Sequence, residues 1–173
     1  MFAVEVAAGV ISGSSSLLAD AVDFAGDASS YALSLWALAL APAWRSRAAL
    51  AKGFAMGAYG LFVIAMAAWH ASRGTVPEPA TMGAVALLAL AVNLGVAAML
   101  YRYRNGDADM RSVWLCSRND AISNIAVMVA AAGVFGTGSG WPDYLVAAIM
   151  AALALGASVI VVRQARREIL AAA

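Results

Sequence analysis

The chain has 173 residues, 64% of them hydrophobic and only 12% charged, with a mean hydropathy of +0.81. A soluble domain is nearer half apolar and a quarter charged, so the sequence reads as an integral membrane protein. A formal charge of +1 without a basic tract excludes nucleic acid as a partner, and a single cysteine excludes an internal disulfide framework.

Residues 1–11 are apolar except for Glu5, and the polar run Ser12-Gly13-Ser14-Ser15-Ser16 follows. Eleven helical residues rise about 16 Å, roughly half of a ~30 Å hydrocarbon core, so this segment reads as a truncated first span. No signal peptide is visible, because a basic flank and an Ala-x-Ala cleavage site are both missing. Ser16 is expected to cap a second helix running to about Leu40, where Pro42 breaks it. A basic loop with Arg45, Arg47 and Lys52 leads to a third helix over about 48–71. The turn 73–79 leads to a fourth helix over about 80–101, and the polar stretch 102–111 to a fifth over about 112–135. Gly136 to Gly140 makes a flexible turn. Trp141-Pro142-Asp143 then opens a sixth helix ending near Val162, with Pro142 at the first helical position and Asp143 complementing the dipole. The expected fold is an all-α membrane protein. It is a bundle of six transmembrane helices in one domain over 1–173, the first helix truncated and no soluble domain present.

Basic residues set the orientation. Arg45, Arg47, Lys52, Arg102, Arg104, Arg111, Arg163, Arg166 and Arg167 fall on one side, and Arg73 falls on the other. Both termini are therefore expected in the cytoplasm, with a bacterial inner membrane as the expected location.

Asp20, Asp23 and Asp27 stand at i, i+3 and i+7 of the second helix, and at 100° per residue all three share one face. A carboxylate near the bilayer centre costs roughly 2.5–3.5 kcal/mol on insertion scales, so three on one stripe call for a compensating cation. The bland reading, a solvated amphipathic face, fits poorly because no Lys, Arg, Glu or Gln interrupts 17–40. The fifth helix buries a second polar set: Cys116 and Asp120 at i and i+4, with Asn124 a turn on. Two helices that each offer two ligands one turn apart can build a four-coordinate site, as Zn²⁺ and its neighbours prefer. Calcium would want six to eight oxygens.

The run Ser14-x-x-Leu17-x-Ala19-Asp20-Ala21-x-Asp23-x-x-x-Asp27 resembles the second helix of the cation diffusion facilitators, which are metal–proton exchangers. Asp120 with Asn124, Gly140-Trp141-Pro142-Asp143 and Asn93 extend the resemblance over about the whole chain. It implies a transport site at Asp23, Asp27, Cys116 and Asp120, and pairing of chains as dimers. Three departures stand out. Family members commonly have His or Asp where this chain has Cys116, most carry a cytoplasmic metal-binding domain after the sixth helix, and some have a histidine-rich loop that 102–111 lacks.

Other polar residues carry weaker expectations. Asp20 either meets the ion on its way in or fixes groups of the serine turn, and Asn124 continues the ligand stripe as support. Arg118 points about 200° away from Asp120 and needs a carboxylate partner; Glu5 is the first choice for a structural ion pair and Asp20 the next. Asn93 and Asn124 read as interhelical hydrogen-bond glue, His70 as an interfacial residue, Asp107 and Asp109 as solvated loop residues. Cys116 as an inert buried thiol is the alternative to a ligand role.

The function expected is export of a divalent transition metal in exchange for protons, by a secondary transporter and not an enzyme, with no prosthetic group. Zn²⁺ is the first choice, with Cd²⁺, Co²⁺, Fe²⁺ or Mn²⁺ as alternatives. Metal and protons would compete for the same carboxylates. One rival is a non-transporting metal-binding membrane fragment or subunit. A remote rival is an intramembrane aspartyl protease, whose Gly-x-Gly-Asp motif is absent before Asp27.

Overall fold

The computed structural model describes residues 1–37, 42–103 and 108–171, and its described side chains leave out those of 103–119, among others. Among the described residues six α-helices make up the fold: α1 (Phe2–Ser12), α2 (Ser15–Ala37), α3 (Pro42–Arg73), α4 (Pro79–Leu100), α5 (Ala108–Thr137) and α6 (Trp141–Ala171). A 3₁₀ turn, Tyr101–Tyr103, follows α4, and no strand occurs among the described residues. The expected end of the second helix at Leu40 lies outside the described residues.

α1 and α2 form a tight hairpin. Gly13 terminates α1 in the left-handed conformation at φ 70°, its N–H reaching back to the Gly9 carbonyl. The cap of α2 is Ser14 and not Ser16: its Oγ accepts from the Leu17 N–H at 3.2 Å, leaving Ser16 inside the first turn. A Cβ on Gly9 would fall 2.9 Å from the Leu18 side chain, so the two helices touch where α1 has no side chain.

Three helices run longer than expected, all at the basic end. α3 starts at Pro42, with proline at the first helical position, so the basic loop around Arg45 and Arg47 is helix instead. α5 starts at Ala108, and α6 continues to Ala171, so the tail with Arg163, Arg166 and Arg167 is helical too. At 32, 30 and 31 residues these helices are roughly 45–48 Å long against a ~30 Å core. Arg and Ala dominate the added turns, and they favour helix where apolar periodicity gives no signal. α3 and α6 pack closely on each other just inside the added turns. Gly53, Gly57 and Gly60 lie against Val162, Ser158 and Leu155, and the Ser158 hydroxyl donates to the Gly53 carbonyl at 2.6 Å.

Four helical stretches are long and apolar enough to cross a membrane: Gly53–Arg73, Pro79–Leu100, Asp120–Thr137 and Trp141–Leu170. α1 is too short, with 11 residues, and α2 carries Asp20, Asp23 and Asp27 within two turns. α3 packs most on α6 and α4 most on α5, while α2 contacts α1, α3, α5 and α6. The acid-bearing helix is thus the one enclosed by the others. The apolar core consists of small and medium side chains, with Leu17, Val63, Met82, Val127 and Val134 fully buried.

Candidate metal centre

Two polar levels lie along α2. The first is at its N-terminus, the serine end. Asp143, fully buried in the first turn of α6, accepts four hydrogen bonds from the start of α2. The Ser14 and Ser16 hydroxyls donate to Oδ1 at 2.7 and 2.6 Å, the Ser16 N–H to Oδ1 at 3.0 Å, and the Ser15 N–H to Oδ2 at 2.7 Å. A carboxylate thus occupies a helix N-terminus, where free N–H groups and the dipole favour an anion. Asp143 serves the dipole of α2 as well as its own helix. The Ser15 hydroxyl is 3.0 Å from His70 Nδ1, and the Tyr144 hydroxyl donates to the carbonyls of Thr75 and His70. His70 is therefore half-buried in this network, not merely interfacial. The alternative expectation for Asp20, that it fixes the serine turn, is not met; among the described residues Asp143 does so.

The second level lies deeper. Asp27 is 12 residues beyond Ser15, about 18 Å along the helix, past the midpoint of a ~30 Å core. There the carboxyl groups of Asp27 on α2 and Asp120 on α5 come within hydrogen-bond reach of each other. Asp23, half-buried one turn from Asp27, lies within electrostatic range of Asp27, Asp120, Asp20 and Glu5. One acid of α2 and one of α5 thus face each other across the two helices. The side chains of Cys116 and Arg118 lie outside the described residues, although both residues are within α5. Among the described residues no three His, Cys, Asp or Glu side chains converge closely enough to hold a metal ion. The close pair is Asp27 with Asp120.

Several polar atoms around this level are buried without a hydrogen-bond partner: both Glu5 carboxyl oxygens, Asp20 Oδ2, Asn93 Nδ2 and Asn124 Oδ1. Glu5, expected to pair with Arg118, is fully buried and finds no partner among the described residues. The asparagines do not act as the interhelical glue expected of them. Asn124 Nδ2 donates to the Asp120 carbonyl of its own helix at 2.9 Å, and the Asn93 amide nitrogen has no partner among the described residues.

Sequence reading missed Asp143 as a clamp, because its partners lie 127–129 positions away. The available signal was three consecutive serines opening one helix and an aspartate opening another. It also missed Glu78, which caps α4 by accepting from the Thr81 N–H at 2.9 Å and from the Thr81 hydroxyl.

A fold of membrane-spanning helices enclosing facing carboxylates on α2 and α5 is the arrangement of an ion path and not of a soluble catalyst. A search of curated proteins found no match to the chain. Residues 1–170 match the family model of the cation efflux transmembrane domain, and the chain therefore belongs to that family of metal cation transporters.

Proposed function

We propose that this protein exports a divalent transition metal, Zn²⁺ first, in exchange for protons, with Asp23, Asp27, Cys116 and Asp120 as the ligands. The observation that carries the reading is the close approach of the Asp27 and Asp120 carboxyls, within hydrogen-bond reach of each other. Two carboxyl groups bond to each other only when a proton lies between them, and a metal ion binding both oxygens must displace that proton. One pair of side chains can thus hold either cargo but not both. The protons belong to the cluster and not to one residue, since groups this close titrate together.

Alternating exposure of such a site to the two membrane faces exchanges one cargo for the other. The carboxylates lean towards Zn²⁺, Co²⁺, Fe²⁺ or Mn²⁺, and a Cys116 thiolate towards Zn²⁺ or Cd²⁺; Zn²⁺ is the overlap. The excess of Arg and Lys at one end of the bundle supports cytoplasmic termini in a bacterial inner membrane, with the serine end facing outward. A homodimer is the proposed assembly.

Proteoliposomes with an imposed pH gradient test the coupling. Zn²⁺ should accumulate on the acidic side against its own gradient, and added zinc should drive protons the other way. Zinc flux indifferent to the pH gradient would make the protein a uniporter or channel. Binding without flux would make it a binding fragment.

A further inference from the structure

Between the serine clamp and the Asp27–Asp120 pair lies a third set of polar groups that neither of them uses. Glu5 is fully buried and Asp20 is 1% exposed, yet Glu5 Oε1, Glu5 Oε2 and Asp20 Oδ2 have no partner among the described residues. The contact of Gly9 on Leu18 fixes the register of the α1–α2 hairpin. Glu5, one turn before Gly9, therefore stands opposite α2 about one turn beyond Leu18, beside Asp20 and Asp23. Glu5 and Asp20 are within electrostatic range of each other, and no hydrogen bond joins them among the described residues. The Met1 amino group, one turn back along α1, acts on Glu5 through space without bonding to it.

A further observation comes from α5. Asn124 is fully buried on the same face as Asp120, one turn nearer the serine end, and its Oδ1 also has no partner among the described residues. Four unpartnered acceptor oxygens, on α2 and on the two helices packed against it, α1 and α5, form a one-sided set; among the described residues the unpartnered buried donor is Asn93 Nδ2 on α4. Leaving a buried acceptor unsatisfied costs about 1–3 kcal/mol, and more when it is charged. A ligand that satisfies such a set must be positive and oxygen-seeking. Hard divalent cations meet that description, binding carboxylate and amide oxygens at roughly 2.0–2.6 Å. Asp20 and Asp27 are seven residues apart, about 10 Å along α2, so a single ion cannot touch both.

We infer that Glu5 and Asp20, with Asn124 Oδ1 as a neutral third oxygen, hold a second cation, a hard divalent ion of the Mn²⁺ or Ca²⁺ kind. This pocket lies on the serine-end side of the Asp27–Asp120 pair. It is distinct from the proposed transport site in having oxygen donors alone. An ion moving between that site and the serine end would pass it.

Mn²⁺ is the probe, because the free aquo ion gives a paramagnetic resonance signal that bound ion loses. Titrating purified protein in detergent, Glu5→Gln and Asp20→Asn should each bind one Mn²⁺ fewer per chain than wild type and still bind Zn²⁺ at Asp27 and Asp120. Asp27→Asn should lose Zn²⁺ affinity yet keep the Mn²⁺ that the Glu5 variant loses. Equal Mn²⁺ stoichiometry in wild type and Glu5→Gln would overturn the inference. Should the Glu5 variant not fold, the Asp27→Asn protein decides alone, since failure to retain any Mn²⁺ there removes the second pocket. Retained Mn²⁺ with unchanged zinc affinity in Asp27→Asn would instead sink the transport-site assignment and leave the pocket standing.

Discussion

Asp143 and Asp20 are both buried aspartates, separated by about 8 Å along the axis of α2, and their surroundings differ sharply. Asp143 accepts four hydrogen bonds from one turn of backbone and serine hydroxyls, so its charge is matched where it sits. Among the described residues Asp20 keeps an unpartnered oxygen, and the charged groups that act on it are Glu5, Asp23 and Asp120, all acids. A satisfied carboxylate fastens α6 to α2. An unsatisfied one is a standing demand for a cation, and the structure places that demand in the interior of the bundle. The same side chain is a fastener at one level and an unmatched acid at the next, and only the partners distinguish the two.

The comparison breaks first at Asp143. Asp143→Ala strips an anion from a helix N-terminus and leaves two buried N–H groups and two hydroxyls without acceptors. Hydrogen bonds to charged groups contribute about 1.5–3 kcal/mol, so losing this clamp should destabilise the fold by at least that much. Thermal unfolding in detergent should show a large drop in Tm. A Tm equal to wild type would mean the cradle is not a fastener.

Asp27 is the opposite test. Asp27→Asn keeps the shape and removes one of two facing acids, so the fold should be as stable as wild type or more so, as is common where function holds strained groups. Zinc affinity by calorimetry should fall more than tenfold, because a charged ligand is gone. Unchanged affinity would remove Asp27 from the site, and a collapse of Tm would make it a fastener like Asp143.

A smaller effect should come from Cys116. If its thiolate joins Asp23, Asp27 and Asp120 around the ion, Cys116→Ser should weaken Cd²⁺ binding several-fold more than Mn²⁺ binding, since sulfur contributes softness. Equal losses for the two metals would return Cys116 to packing.

How much of this was legible in the sequence follows the range of each interaction. The acids of α2 share a face because of a local period, and that period is written in positions 20, 23 and 27. The facing of α2 by Asp120 could be expected because Cys116, Asp120 and Asn124 make a second polar stripe inside a span. The serine clamp was not legible, because it joins the start of α2 to the start of α6 and depends on how two hairpins dock. Helix ends at the basic side were placed too short for another reason. Hydropathy marks where a helix leaves lipid, whereas Pro42 and the Ala- and Arg-rich turns after it decide where the helix stops.

Glu78 offers the mildest contrast, a carboxylate that is satisfied but exposed. Its hydrogen bond from the Thr81 hydroxyl, followed by that from the Thr81 N–H, holds its carboxyl below the usual range for glutamate. Both bonds favour the charged form, as does the N-terminal dipole of α4. Because the folded-state value is depressed, the stabilisation is present above the ordinary glutamate value of about 4.3 and is lost as pH falls through the lowered folded value. Glu78→Gln should therefore lower Tm slightly at neutral pH, and the gap to wild type should close as the solution is acidified. A gap that stays constant on acidification would show that the cap acts by shape alone, with no contribution from charge.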